Sequence, residues 1–129
     1  MKIKLITTIL ISITLFSCEK DSGPYIVPPT VVPSVSFSTE IQPIFDSYCI
    51  SCHDENHSYL NLKSCCSWYE LSATGYNAPY IDTINPEQST LYKRITGVIA
   101  PVMPSTGTPL SQNDIDIILR WIDEGAKNN

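Results

Sequence analysis

The chain has 129 residues, of which 43% are hydrophobic, and a formal net charge of −5 at pH 7. This length accommodates one small domain and leaves no room for a second, catalytic one. From residue 38 onward eleven acidic residues oppose five basic ones, a formal −6, and this excess of negative charge excludes nucleic acid as a partner.

The start of the chain has the pattern of an export signal. Lys2 and Lys4 precede an uncharged apolar run over residues 5–16. The run is shorter than the ~20 residues that a membrane-spanning helix needs, but it is typical of a secretion signal. We therefore expect residues 1–17 to be a signal peptide that takes the protein out of the cytoplasm.

The apolar run closes with Leu-Phe-Ser-Cys over residues 15–18, which resembles the lipobox of bacterial lipoproteins. In a lipobox the signal is cleaved before the cysteine, and the cysteine is lipidated. The resemblance implies a lipid anchor on Cys18 that holds the protein on a bacterial membrane, facing the periplasm or the cell surface. The alternative is an ordinary cleaved signal that is followed by a cysteine by chance.

Residues 18–36 form the next segment, which contains prolines at positions 24, 28, 29 and 33. Proline fixes φ and has no N–H group, so neither a helix nor a central strand is expected here. We interpret the segment as the lipidated N-terminus followed by a disordered, extended tether. At ~3.1 Å per residue such a tether could hold a domain on the order of 50 Å from the membrane.

The folded domain is expected over residues 37–129, and it opens with an amphipathic helix. Its apolar residues stand at positions i, i+3, i+4 and i+7 of a helical pattern. These residues are Ile41, Ile44, Phe45 and Tyr48. Pro43 fits this helix if it lies in the first turn. The pattern ends directly at Cys49.

The sequence Cys49-Ile50-Ser51-Cys52-His53 follows at once. Two cysteines three positions apart lie on the same face of one helical turn, and their thiols can add to the two vinyl groups of one haem. The adjacent His53 can then reach the haem iron. The motif therefore predicts one covalently bound haem c.

A Cys-x-x-Cys pair has two other interpretations. It can be a redox disulfide, or it can be half of a zinc site, for which His57, Cys65 and Cys66 nominally offer further ligands. We prefer haem because the adjacent histidine belongs to the haem-attachment pattern and is not required by zinc. Cys65 and Cys66 then remain unassigned, and in an oxidising compartment we expect them to form a disulfide.

Three more helices are expected. A short one covers residues 64–71, and a second covers residues 86–95, where Asn85 is the expected cap, Pro86 the first helical residue and Gly97 the stop. The last begins after a capping box and stops at Gly125. The capping box consists of Ser111 and Asp114. The stripe expected to be buried consists of Ile115, Ile118, Leu119 and Ile122. The sequence has no alternation of apolar and polar residues typical of strands, so the predicted fold class is all-α.

Met103 lies between these last two helices, in a loop that Pro101, Pro104 and Pro109 make stiff. If the signal is removed, Met103 is the only methionine left, since the other is Met1. A thioether on a stiff loop suits the sixth position of a haem iron. Filling of the core is the other common use of a methionine, and His57 is the competing ligand.

The motifs of residues 43–53, 60–62, 85–95, 103–104 and 110–126, in this order, resemble the small monohaem c-type cytochrome domains of the planctomycete type. The resemblance implies an all-α, cytochrome c-like domain of three main helices with long loops. It also implies haem attachment through Cys49 and Cys52, with His53 as the proximal ligand and Met103 as the distal one.

The sequence thus predicts a lipid-anchored electron carrier, not an enzyme, whose acidic surface favours redox partners with a basic docking face. The alternatives are a haem sensor or small-ligand-binding module and a haem-free lipoprotein stapled by a metal or a disulfide. Candidates for the wall of the haem pocket are the large aromatic residues of the domain. These are Tyr48, Trp68, Tyr76, Tyr80 and Trp121.

Overall fold

The computed structural model describes residues 32–73 and 79–129. Within these ranges no residue lies in a β-strand, so the all-α class is confirmed, and the four α-helices are the three main helices and the short one that the sequence predicted. None of the helices in the described part is long and apolar enough to cross a membrane. The expected signal peptide, Cys18 and the tether up to residue 31 lie outside the described residues.

The first helix begins with a wide turn. A π-helical turn, Phe37–Ile41, leads into helix α1, Gln42–Tyr48, whose second residue is Pro43. In the turn the N–H of Ile41 donates to the carbonyl of Ser36, five residues back, at 3.3 Å. Proline has no N–H and its ring crowds the carbonyl four residues before it, so the widened turn accommodates it. The predicted helix, ending at the cysteine pair, is confirmed.

Helix α2, Ser67–Ser72, confirms the expected short helix but begins later than residue 64. The φ angle of Cys66 is −139°, which lies outside the helical region. The N–H groups of Cys66 and Ser67 both donate to the carbonyl of Lys63, at 2.9 Å each. A turn therefore precedes the helix, and the expected disulfide between Cys65 and Cys66 lies in this turn.

A buried polar contact joins α1 to α2. Gln42 and Ser67 are 5% and 0% exposed, and the hydroxyl of Ser67 donates to Oε1 of Gln42 at 2.6 Å. Nε2 of Gln42 donates to the carbonyl of Leu62 at 3.0 Å and to Asp46 at 2.8 Å. Among the described residues no buried side-chain nitrogen or oxygen lacks a partner. The contact also holds the chain at Leu62, which lines the site described below.

The single helix expected over residues 86–95 is wrong, because the structure breaks it at Ser89. A 3₁₀ turn, Pro86–Gln88, precedes Ser89, and helix α3, Thr90–Ile95, follows it. Ser89 is fully buried with ψ 132°, and its hydroxyl accepts the N–H of Asp82 at 2.8 Å. This tertiary hydrogen bond needs an extended residue where a continuous helix would need a helical one.

The expected cap of that helix is also wrong. Asn85 makes no side-chain cap; the carboxylate of Asp82 accepts the N–H groups of Ile84 and Asn85 at 3.0 and 2.9 Å. The first two N–H groups of α3 donate to the carbonyls of Pro79 and Tyr80, at 3.1 Å each. The free donors at the start of α3 are thus satisfied by a neighbouring segment.

Helix α4, Gln112–Asp123, confirms the last predicted helix. The hydroxyl of Ser111 accepts the N–H of Asp114 at 3.2 Å, as the capping box requires. Gly125 follows the helix with φ +96°, a conformation that glycine adopts without steric cost. Both ends of the helix are therefore determined by local sequence.

The core is one apolar cluster that α1, α2, α3 and α4 all enter. Its most deeply buried members, each at most 1% exposed, are Ile41, Phe45, Leu71, Ile118, Trp121 and Ile122. The ring of Phe37 lies 5.3 Å from that of Trp121, measured between centroids. Of the predicted stripe on α4, Ile118 and Ile122 are buried and Ile115 and Leu119 are half-buried, whereas Trp121, which the stripe did not include, is 1% exposed.

Hydrogen bonds join the two ends of the domain. The N–H of Val35 donates to Oε2 of Glu124 at 2.7 Å, and Val35 is 3% exposed. Oε1 of the same carboxylate accepts a hydrogen bond from Arg120, also at 2.7 Å. The N–H of Phe37 donates to Oδ1 of Asn129 at 2.9 Å. The packed part of the chain thus begins before Phe37, the residue at which the sequence predicted the domain to start.

We expect the stability of the domain to decrease when Glu124 is protonated. The Val35 N–H, with help from Arg120, holds the pKa of Glu124 below its ordinary value of 4.5. The unfolded chain therefore binds this proton more readily than the folded one, and the stabilisation is lost as the pH falls below 4.5 and through the folded pKa. Urea unfolding at a series of pH values measures this loss.

The Glu124→Gln variant should lack that part of the acid-induced decrease. Asp123→Asn is the matched control, since Asp123 is the exposed neighbour on the same helix. If both variants show the same pH dependence as the parent, the carboxylate does not stabilise the fold through Val35.

Candidate functional site

The structure contains a partly open cavity of about 310 Å³. All four residues that the sequence singled out for cofactor binding line it: Cys49, Cys52, His53 and Met103. The rest of its wall is largely apolar. That wall includes Tyr48, Leu60, Leu62, Leu71, Tyr80, Leu91 and Ile95. An apolar cavity with a few convergent polar groups is the usual form of a cofactor site.

The two cysteines are presented by one turn at the end of α1. The carbonyl of Cys49 accepts the N–H groups of Cys52 and His53 at 3.1 and 2.9 Å. This is the helical hydrogen-bond pattern, continued for one turn past the helix. Neither cysteine is in a disulfide; Cys49 is half-buried and Cys52 is exposed. The turn therefore directs both thiols and the imidazole to one cavity, as the spacing predicted.

Burial, and next the nearby Cys52, raise the pKa of the Cys49 thiol to about 11. The thiol is therefore protonated at neutral pH. Thiol–disulfide exchange proceeds through a thiolate with a lowered pKa, which Cys49 lacks. Cys49 is therefore a poor attacking thiol for disulfide exchange.

His53 is held in the form that binds a metal. Its Nδ1 lies 3.2 Å from the carbonyl oxygen of Leu60, which can only accept, so Nδ1 carries the hydrogen. Burial, and next the neighbouring His57, lower the pKa of His53, although the Leu60 bond opposes them. In the neutral form the lone pair is left on Nε2, the nitrogen that a metal would take.

His57 lies beside His53, with 4.2 Å between the ring centroids. Its Nδ1 accepts the N–H groups of Leu60 and Tyr59 at 3.1 and 3.3 Å. Leu60 is thus held at its N–H by one histidine and at its carbonyl by the other. His57 therefore lies next to His53 and binds the loop that orients it. This position does not favour His57 as a ligand opposite His53.

Met103 enters the cavity from the loop after α3. Gly97 ends that helix with φ +77°, as the sequence predicted. The N–H of Met103 then donates to the carbonyl of Arg94 at 2.9 Å, and Nη1 of Arg94 donates to the carbonyl of Pro101 at 3.1 Å. The methionine is half-buried. Two hydrogen bonds to Arg94 thus join this loop to the end of α3.

The alternative zinc site is not assembled. The side chains of Cys65 and Cys66 are bonded to each other. In residues 32–73 and 79–129 no group of three or more His, Cys, Asp or Glu side chains is placed to hold a metal ion. The nominal zinc ligands of the sequence therefore do not come together in the described part of the chain.

The aromatic candidates for the cavity wall divide into two groups. Tyr48 and Tyr80 line the cavity. Trp68 and Trp121 do not; their indole N–H groups donate to the carbonyls of residues 126 and 127 at 2.8 and 3.0 Å. Tyr76 lies outside the described residues.

Comparison with family models, curated proteins and solved structures finds no match to this chain. What the site can hold is therefore inferred from its residues. Two thiols on one turn, a neutral imidazole with a free Nε2, a thioether and an apolar wall fit a covalently attached haem. A redox disulfide would use only the two thiols, and a zinc site would not use the thioether.

Sequence reasoning missed two contributors to the site, the carbonyl of Leu60 and the side chain of Arg94. A backbone carbonyl that orients a histidine leaves no trace in the sequence. Arg94 lies in the last turn of a helix, where basic residues are common for electrostatic reasons alone. Only the fold shows that each contacts a segment carrying a candidate ligand.

Replacing His57 should loosen the loop that orients His53. In His57→Ala the half-buried N–H of Leu60 loses its acceptor, and we expect the free energy of unfolding to fall by about 1 kcal/mol. Urea unfolding measures the loss, and hydrogen exchange of the Leu60 amide should accelerate.

His57→Asn is the matched variant, because an asparagine oxygen can accept an N–H two residues further on. It should recover part of the stability. Equal stability of the parent and His57→Ala would show that the two hydrogen bonds to Nδ1 contribute nothing.

Proposed function

We propose that this protein is a monohaem c-type cytochrome, with a cytochrome c-like fold, that carries single electrons outside the cytoplasm. One observation carries the proposal. Cys49, Cys52, His53 and Met103 line one largely apolar cavity although Met103 is fifty positions from His53. The resemblance of the sequence to planctomycete-type monohaem domains supports the same function.

Each of the four residues would have one role. Cys49 and Cys52 hold the porphyrin by thioether bonds, His53 supplies Nε2, and Met103 supplies its sulfur. When bound, haem supplies an iron that takes up and releases one electron. The protein keeps that centre in place: Leu60 orients His53, and the apolar wall excludes water. A histidine–methionine pair favours the reduced iron and raises its reduction potential.

The surroundings of the site suit an electron carrier better than an enzyme. The sequence has a single haem-attachment motif, so a dihaem enzyme is not proposed. No Asp or Glu is among the residues that line the cavity. The excess negative charge of the domain therefore lies elsewhere, where it can steer a redox partner with a basic docking face. A lipid on Cys18 and the tether would keep the carrier near its membrane.

The purified, exported protein should show a c-type haem spectrum, and acid acetone should not extract the haem. Thioether bonds survive denaturation, so mass spectrometry should find the haem on the peptide that contains Cys49 and Cys52. Cys52→Ala should retain at most one bond. Absence of Soret absorption would leave the haem-free lipoprotein as the better description, and high-spin iron would favour the sensor or ligand-binding module.

Met103→Ala should convert a low-spin, ligand-inert haem into one that is high-spin or water-bound. Loss of the thioether destabilises the ferrous iron, so the reduction potential should fall and carbon monoxide should bind readily. Covalent attachment should persist. His57→Ala and His57→Asn are the comparison variants, since only the asparagine keeps an acceptor for the loop that orients His53. If both change the spin state and the potential while Met103→Ala does not, the sixth ligand is His57.

The proposed lipid anchor has its own test. Cys18→Ser removes the acceptor of the lipid, so the protein should leave the membrane fraction or remain unprocessed. The haem spectrum of this variant should not change, because Cys18 precedes the folded domain. A variant that fractionates and migrates like the parent would exclude the anchor.

A further inference from the structure

Arg94 contacts the loop of Met103 at two points. Its carbonyl oxygen accepts the N–H of Met103 at 2.9 Å. Its Nη1 donates to the carbonyl of Pro101 at 3.1 Å. One residue of α3 therefore holds both the candidate ligand and the segment immediately before it.

The side chain of Arg94 supplies a hydrogen-bond donor to a loop that has few of its own. Proline has no N–H, so Pro101, Pro104 and Pro109 leave this loop short of backbone donors. The carbonyl of Pro101 obtains its donor from the guanidinium group. The backbone bond to Met103 is available to any residue at position 94, whereas the bond to Pro101 needs a long side chain with a donor at its end.

No carboxylate of the described residues forms an ion pair with the guanidinium group of Arg94. The two ion pairs within the described ranges use Lys63 and Arg120. Arg94 is also the sole lysine or arginine among the described residues that line the cavity. Its charge is thus directed to a carbonyl of the Met103 loop, and a hydrogen bond from a charged donor is stronger than one between neutral groups.

We propose that Arg94 is a positioning residue for the sixth haem ligand. By holding Pro101 with its side chain, it keeps the Met103 thioether where the iron can bind it. This inference rests on the proposed function. It differs from a merely structural role, which would lower stability without changing how the methionine is held.

The test uses the full-length, haem-loaded protein and the variants Arg94→Gln, Arg94→Lys, Lys93→Gln and Met103→Ala. Lys93→Gln is the charge-matched control, since Lys93 is the neighbour of Arg94 on α3 and does not line the cavity. Three properties are measured: the weak methionine–iron band near the red end of the spectrum, the reduction potential and the rate of carbon monoxide binding.

We expect Arg94→Gln to approach Met103→Ala in all three properties, with loss of the band, a lower potential and faster carbon monoxide binding. Arg94→Lys keeps the charge and one donor, so it should recover much of the band. Lys93→Gln should match the parent. If Arg94→Gln does not accumulate, Arg94→Leu takes its place, since it keeps part of the apolar stem without a donor, and it should lose the band and bind carbon monoxide faster than the parent.

Two results would overturn the inference. Arg94→Gln could keep the band and resist carbon monoxide as the parent does, which would leave Arg94 with no more than a charge effect on the potential. A parent without the methionine–iron band, or one that Met103→Ala does not alter, would reject the methionine ligand itself and this inference with it. The first result leaves the proposed function intact, so the two failures are distinguishable.

Discussion

The carbonyl oxygen of Cys49 accepts the N–H groups of both Cys52 and His53, and the candidate site depends on this turn. Each such bond contributes about 0.5–1.5 kcal/mol. Burial of an isoleucine or phenylalanine contributes about 1.5–3 kcal/mol. Ile41 and Phe45 of the preceding helical segment are both 0% exposed. The packing of that segment in the core, more than the bonds of the turn, therefore determines where the thiols lie.

Both candidate ligand residues donate a hydrogen bond to a backbone carbonyl of another segment. The carbonyl of Leu60 orients His53, and the carbonyl of Arg94 accepts the N–H of Met103. Such bonds fix direction as well as distance, and they are stronger beside an apolar wall than in water. The site is thus organised by segments that carry no ligand.

Two of the predicted helices, α1 and α4, follow from local rules, since a cap or an early proline and an apolar stripe agree in each. The expected helix over residues 86–95 had equally good local signals and was wrong. Its break comes from Ser89, whose hydroxyl accepts the N–H of Asp82 seven residues earlier. Such a hydrogen bond contributes about 0.5–1.5 kcal/mol, whereas the helix propensities of ordinary residues differ by at most about 0.7 kcal/mol.

The sequence by itself determined the all-α class, the ends of α4 and the group of Cys49, Cys52 and His53, because these depend on residues within one or two turns of each other. The tertiary structure alone decided that Met103 lines the same cavity, and that the carbonyls of Leu60 and Arg94 accept hydrogen bonds from the two candidate ligands. Contacts between separate segments have no periodic signature in the sequence. They exist only once the core has packed the helices against one another, and the core is built from side chains that do not themselves belong to the site.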